Sequence, residues 1–476
     1  MKTRVYFGAG VVVIFLSSLC VVAPLRSQES ANATAATTSS AAAKDPGVRA
    51  GSVNAGTPLS GLTASQLQYF QDGLTRFQEV DQVANGLGPT FNSNSCGSCH
   101  AQPAAGGSSP ATAQYPHVGP NPQIEAATAG GATNSIPAFI TPDGPVREAR
   151  FPFTVGSNGA LTRTPDGGVH ALFTITGRTD APGCSLAQPN FQRMAQLNNL
   201  IFRIPTPVYG AGLIENITDA TILANMAANA NLKQQLGISG HPNYSGNDGS
   251  ITRFGWKAQN KSLEVFSGEA YNVEMGVTNE LFPNERANPP ASCIMNPTPE
   301  DVTNFDQSGD QIPSDVVGFS AFMRFLAPPT PSATGIPGNP ASASLKNGQT
   351  LFNLIHCTTC HTPSLSTAAS KLAPGLSQQT ANLYSDLLVH NMGSGLADNV
   401  SQGSAGPDEF RTAPLWGLGQ RIFFLHDGRS GPANGGLVNA IQQHASSGSE
   451  ANAVVNTFSH LTPQQQQDLL NFLRSL

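Results

Sequence analysis

The sequence predicts a mainly α protein built from two similar domains, with long irregular loops and little β. Three observations predict it. First, the motif Cys96-Gly97-Ser98-Cys99-His100 recurs as Cys357-Thr358-Thr359-Cys360-His361. Second, flanking landmarks recur in the same order. Asp72-Gly73 with Phe77 is echoed by Asn347-Gly348 with Phe352. Arg203 with Pro207-Val-Tyr-Gly-Ala-Gly212 is echoed by Arg411 with Pro414-Leu-Trp-Gly-Leu-Gly419, and each half closes on a Phe- and Leu-rich stretch, 319–326 and 469–476. Such order marks an internal duplication. Third, the clearest periodicity is helical.

The elements follow in order. Residues 1–26 open with Lys2 and Arg4 and run apolar over 5–23, the pattern of an export signal or an uncleaved N-terminal anchor. Residues 27–60, rich in Ala, Ser, Thr and Gly, read as a disordered tether. The first domain spans 61–327. Thr63 caps its first helix and Gln66 closes the box. Leu67, Phe70, Leu74 and Phe77 then recur at helical spacing. Residues 101–150 read as an extended loop. Alternation at Val169, Ala171, Phe173 and Ile175 suggests a small hairpin within 151–178. Helices are expected over 218–236, 260–275 and 315–326. A Pro-rich linker, 328–342, leads to the second domain, 343–476.

Composition excludes some functions. Charged residues are 11% of the chain, against about a quarter ordinarily. Net charge is -6 and no basic cluster appears, so nucleic acid is not an expected partner. A membrane contact is expected only through an uncleaved N-terminal anchor.

The repeated motif carries the chemistry. Two cysteines flanking two residues, followed by histidine, is the attachment pattern of c-type haem. The thiols Cys96, Cys99, Cys357 and Cys360 add to porphyrin vinyl groups. His100 and His361 then stand as proximal iron ligands. A zinc site would need both motifs to share one ion, and a redox dithiol leaves the histidines unused. Each half therefore reads as a cytochrome c-like haem domain. Of seven cysteines, Cys20 lies in the leader and four hold haem. Cys184 and Cys293 remain, as a disulfide in an oxidising compartment or as two buried thiols.

The sixth ligand decides what a haem does: two protein ligands pass electrons, and an open position binds an oxidant. Met392, in Val389-His390-Asn391-Met392-Gly393, suits the far side of the second haem, with His390 as competitor. For the first haem, His117, His170 and an open site all stand. Trp256 and Trp416, the two tryptophans, are candidates for bridging the haems or for core packing.

With these residues the chain resembles the bacterial di-haem oxidoreductases, a family similar to the di-haem cytochrome c peroxidases. The resemblance covers most of 61–476. It rests on both haem motifs, the Arg/Pro/Gly repeats, Phe424-Leu-His-Asp-Gly-Arg429 with Ala440-Ile-Gln-Gln-His444, and Arg253-Phe-Gly-Trp-Lys257 with Glu274-Met-Gly276. It implies an exported, periplasmic enzyme with two covalent haem c groups, and leaves calcium open. Electrons would come from a small redox donor protein, enter at the second haem and meet a small oxidant such as hydrogen peroxide at the first. Glu274, just before Met275, matches the family's acid/base carboxylate. Cleaving a peroxide bond requires a proton moved between its oxygens, which a poised carboxyl can do. The stretch 101–178 is longer than the peroxidase pattern, and the peroxide-side histidine has no clear match. A non-enzymatic electron carrier and an oxidase of thiols or other small reductants are the alternatives.

Overall fold

In the computed structural model, residues 41–51, 53–108, 120–286, 288–297 and 314–476 are described. The leader and His117 lie outside them. Thr63 accepts from Gln66 N while the Gln66 side chain accepts from Thr63 N, and helix Ala64–Gln78 follows as expected. Phe70 and Phe77 are buried on its inner face. Helix Asp315–Phe325, capped by Ser314, crosses that face. The crossing is close because Gly73 has no side chain: a Cβ there would land on the carbonyl of Gly318.

The same arrangement occurs again downstream. Helix Ser342–Leu354 packs against Pro463–Ser475, and Gly348 meets the carbonyl of Asp468. Phe77 contacts Phe322 with ring centroids 4.8 Å apart, and Phe352 contacts Phe472 at 5.6 Å. Gly212 lies against the carbonyl of Arg324 as Gly419 lies against that of Arg474. Of the repeated landmarks, Gly73, Phe77, Gly348 and Phe352 thus mark where each pair of helices touches, and Gly212 and Gly419 where a further turn meets the second helix of each pair.

Of the described residues, 35% are helical and 12% lie in strands or isolated bridges, which makes the fold mainly helical with little sheet. The strands are two to five residues long. One three-stranded antiparallel sheet has the order Val169–His170, Glu148–Arg150, Ile201–Arg203, placing Glu148 opposite Arg203. A hairpin does lie in 151–178, but between Phe153–Val155 and Leu161–Pro165. The alternating stretch itself divides: Val169 joins the three-stranded sheet, and Phe173 pairs with Phe91. The helix expected over 218–236 breaks into Asp219–Ala227 and Ala230–Leu236, because Asn229 adopts a left-handed conformation. That expected over 260–275 begins at Leu263 after the Ser262 cap and ends in a π-turn, Tyr271–Met275. Cys184 and Cys293 form a disulfide.

Two sequence expectations need correction. Residues 41–51 and 53–60, read as part of a disordered tether, are packed down. Asp45 pairs with Arg474 at 2.7 Å, the buried Arg49 donates to the carbonyls of Ser475 and Leu476, and Leu59 N donates to Phe325 O. Small polar composition concealed these long-range partners. The Pro-rich stretch 328–342 is likewise not a free spacer: Thr330 N donates to Val53 O, Ser332 N to Ser475 O, and Ile336 is buried. Residues Ala41–Leu476 form one unit. No helix among the described residues is long and apolar enough to cross a membrane.

Candidate functional site

Each Cys-x-x-Cys-His motif begins in a short helical turn, Cys96–Cys99 or Cys357–Thr359, in contact with the helix Ala64–Gln78 or Ser342–Leu354. The turn puts the cysteines and histidine beside one cavity. In the first, His100 Nδ1 donates to Gly107 O at 2.9 Å; in the second, His361 Nδ1 donates to Tyr384 O at 2.9 Å. A carbonyl only accepts, so the proton sits on Nδ1 and Nε2 is left with a lone pair that could bind a metal. Burial pushes both imidazoles down to about 4, so both are neutral near pH 7.

The two cavities differ. The second is lined by Cys357, Cys360, His361 and Met392 among apolar side chains from Phe352, Phe424 and Leu473. Strand Val389–Asn391, paired with Glu409–Arg411, carries His390 and Met392 toward it. His390 is held on both sides: Nε2 to Asp386 at 2.9 Å and Nδ1 to Glu450 at 2.7 Å. Using it as an iron ligand would break one of these bonds; Met392 carries no such cost. His356, His426 and His444 also line this cavity. His426 stacks on Phe410, and His444 Nδ1 donates to Ala440 O.

The first cavity holds Cys96, Cys99 and His100 with Glu148, Glu274, Arg147, Arg150 and Arg203. Burial and the adjacent Glu148 raise Glu274 to about 8. Against the cost of burial, Arg150 and Arg203 hold Glu148 down at about 2. Met275 and Met323 also line this cavity, the Met275 sulfur lying 3.8 Å from that of Cys96. His170 does not: it stacks on Phe151 and pairs with Asp166 at 3.1 Å.

Trp256 alone among the described residues lines both cavities. Its Nε1 donates to Ile204 O at 2.8 Å, which fixes the indole. Trp416 lines neither; it faces a small cleft between them with Trp256, Arg411 and Arg421.

A scan of family models matches residues 162–476 to "Di-haem oxidoreductase, putative peroxidase". The chain belongs to the di-haem oxidoreductase family. No curated protein matches it. Solved structures similar to this oxidoreductase include a hydrazine synthase of Kuenenia stuttgartiensis, at 18% identity and TM-score 0.22 over 35% of this chain and 56% of that one. A second is the diheme peroxidase BthA of Burkholderia thailandensis, at 16% identity and TM-score 0.29 over 47% of this chain and 65% of that one. A third is a MauG-like protein associated with microbial copper homeostasis, at 15% identity and TM-score 0.34 over 90% and 92%. The chain spans less than two thirds of the length of the first two.

The family implies two haems, and the residues present fit them. Both cavities offer an imidazole with Nδ1 already engaged, two thiols and apolar walls. Arg421 is buried at the second cavity, with Nε and Nη2 lacking hydrogen-bond partners among the described residues. Arg147 Nε is in the same state at the first. Buried guanidinium groups left this way suit the propionate carboxylates of a porphyrin. The one group of three metal-capable side chains among the described residues is Cys360, Asp386 and His390, a mixed set unlike the oxygen ligands calcium takes.

The sequence singled out Glu274, Met392 and the motif residues, and the fold brings each to a cavity. It missed Glu148 and Arg421 and had Arg203 only as a repeated landmark; strand pairing and chain return bring them there.

Proposed function

We propose that the protein is a periplasmic di-haem c oxidoreductase that reduces a peroxide. Cys96, Cys99, Cys357 and Cys360 hold the two porphyrins covalently in cytochrome c-like domains, and His100 and His361 are proximal ligands. Met392 supplies the second haem's sixth ligand, a thioether that raises its potential. When bound, the haems supply the redox chemistry, the second taking electrons from a small donor protein and the first giving them to the oxidant. Trp256 is the group through which the two sites couple. Glu274 holds and moves the proton that peroxide cleavage requires.

The observation that carries this reading is the contrast between the cavities: the second is walled mostly by apolar side chains, whereas the first gathers Glu148 and Glu274 among three arginines. The test is peroxide turnover by the haem-loaded protein with a reduced donor. Turnover well above that of free haem is expected; a rate no greater than free haem, after full reduction of the second site, rejects peroxide as substrate.

A second reading, a non-enzymatic electron carrier, has one observation in its favour. Met275 and Met323 both line the first cavity, and either thioether would close its iron. Two low-spin centres that never bind cyanide would establish the carrier.

A further inference from the structure

We infer that the buried ammonium group of Lys257 is a fixed positive charge that raises the reduction potential of the second haem. The inference rests on the second cavity as a haem site, and not on peroxide as the oxidant. It gives a role to the last residue of Arg253-Phe-Gly-Trp-Lys257, which the sequence singles out and the proposed chemistry leaves unused.

A lysine almost never loses all contact with water unless something pairs with it. The side chain of Lys257 is 0% exposed. Its Nζ donates to Gly406 O and to Glu409 O, each at 2.8 Å, and pairs with Asp398 Oδ1 at 3.2 Å. Three acceptors meet the three N–H groups of an ammonium. A neutral amine has two hydrogens and would turn its lone pair on one of these oxygens. The cage therefore fits the charged form. Burial lowers the pKa to about 8, against the pull of Asp398, and the proton is kept at pH 7. Phe410 closes the remaining side, with Nζ 4.1 Å from the ring centroid.

Asp398 does not cancel this charge, because it is shared. Arg203 Nη2 donates to Asp398 Oδ2 at 2.7 Å and Arg203 Nε to the same oxygen at 3.2 Å. Two cations on one carboxylate leave one positive charge in a place without water. The nearest other carboxylates are engaged elsewhere. Glu148 pairs with Arg150 at 2.6 Å, and Glu409 reaches the part-exposed His241 at 2.9 Å, where solvent screens it. Stability alone gives no reason for a lysine here, since apolar residues often replace buried ion pairs at no loss.

Position assigns the charge to the second site. Phe410 lines the second cavity and not the first, so Lys257 stands one aromatic ring behind that wall. Toward the first cavity, contacts run from Lys257 through Asp398 to Arg203, which lines it. Reduction adds a negative charge to a haem. A nearby positive charge that water does not screen favours the reduced form, which is one of the levers by which a protein sets a haem potential.

A spectroscopic redox titration of the haem-loaded protein, read at each haem separately, tests this without turnover. Lys257→Met removes the charge and leaves Asp398 paired with Arg203. The reduction equilibrium of the second haem should fall at least about tenfold, about 59 mV for one electron. Its spin state should not change, and the first haem should shift less. Lys257→Arg, which keeps the charge, should hold the potential within about twofold. A shift under about twofold in Lys257→Met, or an equal shift at both haems, overturns the inference. A changed spin state in Lys257→Met also overturns it, by assigning the lysine to packing. If Lys257→Met fails to load the second haem, Lys257→Gln against Lys257→Arg reads the same charge, and equal potentials reject the role. Wild-type protein with no haem at Cys357 and Cys360 would instead reject the site beneath the inference.

Discussion

Gly348 lies so close beneath the main-chain carbonyl of Asp468 that a Cβ added there would overlap the oxygen. Gly73 has the same relationship to Gly318. Alanine ordinarily favours a helix over glycine by up to about 1 kcal/mol. Here the obstacle is backbone of a packed helix, which cannot step aside. Gly73→Ala and Gly348→Ala should each destabilise by about 1–3 kcal/mol, as overpacked cores do. Denaturant midpoints on the haem-loaded protein would check this; an unchanged or raised midpoint would mean the helices separate freely.

Met392 offers a sharper outcome. Met392→Ala should leave the second haem attached, shift it from low to high spin, and lower its potential by part of the roughly 0.8 V that axial ligation spans. A spectroscopic redox titration would read all three. Unchanged spectra would pass the role to a cavity histidine, His426 or His444.

Trp256 should matter for communication rather than for assembly. Its indole donates to Ile204 O and lies edge-on to His426, with ring centroids 6.4 Å apart. Trp256→Phe should keep both haems yet slow transfer between them about tenfold, about 1.4 kcal/mol of barrier. Stopped-flow reduction would follow each haem separately. Trp416→Phe, outside both cavities, should leave that rate within about twofold, under 0.5 kcal/mol.

Acid should loosen the second site through Glu450. Against the cost of burial, the hydrogen bond and charge of His390 lower its pKa from 4.5 to about 2. A depressed carboxyl pKa contributes stability that is present above 4.5 and is lost as pH falls toward 2. Glu450→Gln should therefore melt lower than wild type at pH 7, with the gap closing between pH 4.5 and 2. A gap that does not change with pH would assign the loss to packing.

How much of this the sequence disclosed depended on distance along the chain. Thr63 and Gln66 are three apart, and their capping box is readable at sight. The haem motifs are five residues each, and their chemistry is local. Phe77 and Phe352 were visible as repeated landmarks, and so were the Phe- and Leu-rich stretches 319–326 and 469–476 that supply their partners Phe322 and Phe472. Asn229 breaks a helix through one backbone angle that composition does not encode. Glu148 was hidden because its meaning comes from Arg203 across a sheet and Glu274 on a distant turn. Asp45 and Arg49 were misread for the same reason, their partners lying more than 400 residues away.

That last pair has a consequence for engineering. The stretch beginning at Asp45 grips Arg474 in the closing helix and, by Leu59, is bonded to Phe325 at the end of the other crossing helix. The two helix pairs are therefore belted by one ribbon. A chimera that swaps either half with a relative would have to transplant that ribbon too, or redesign its contacts on both sides.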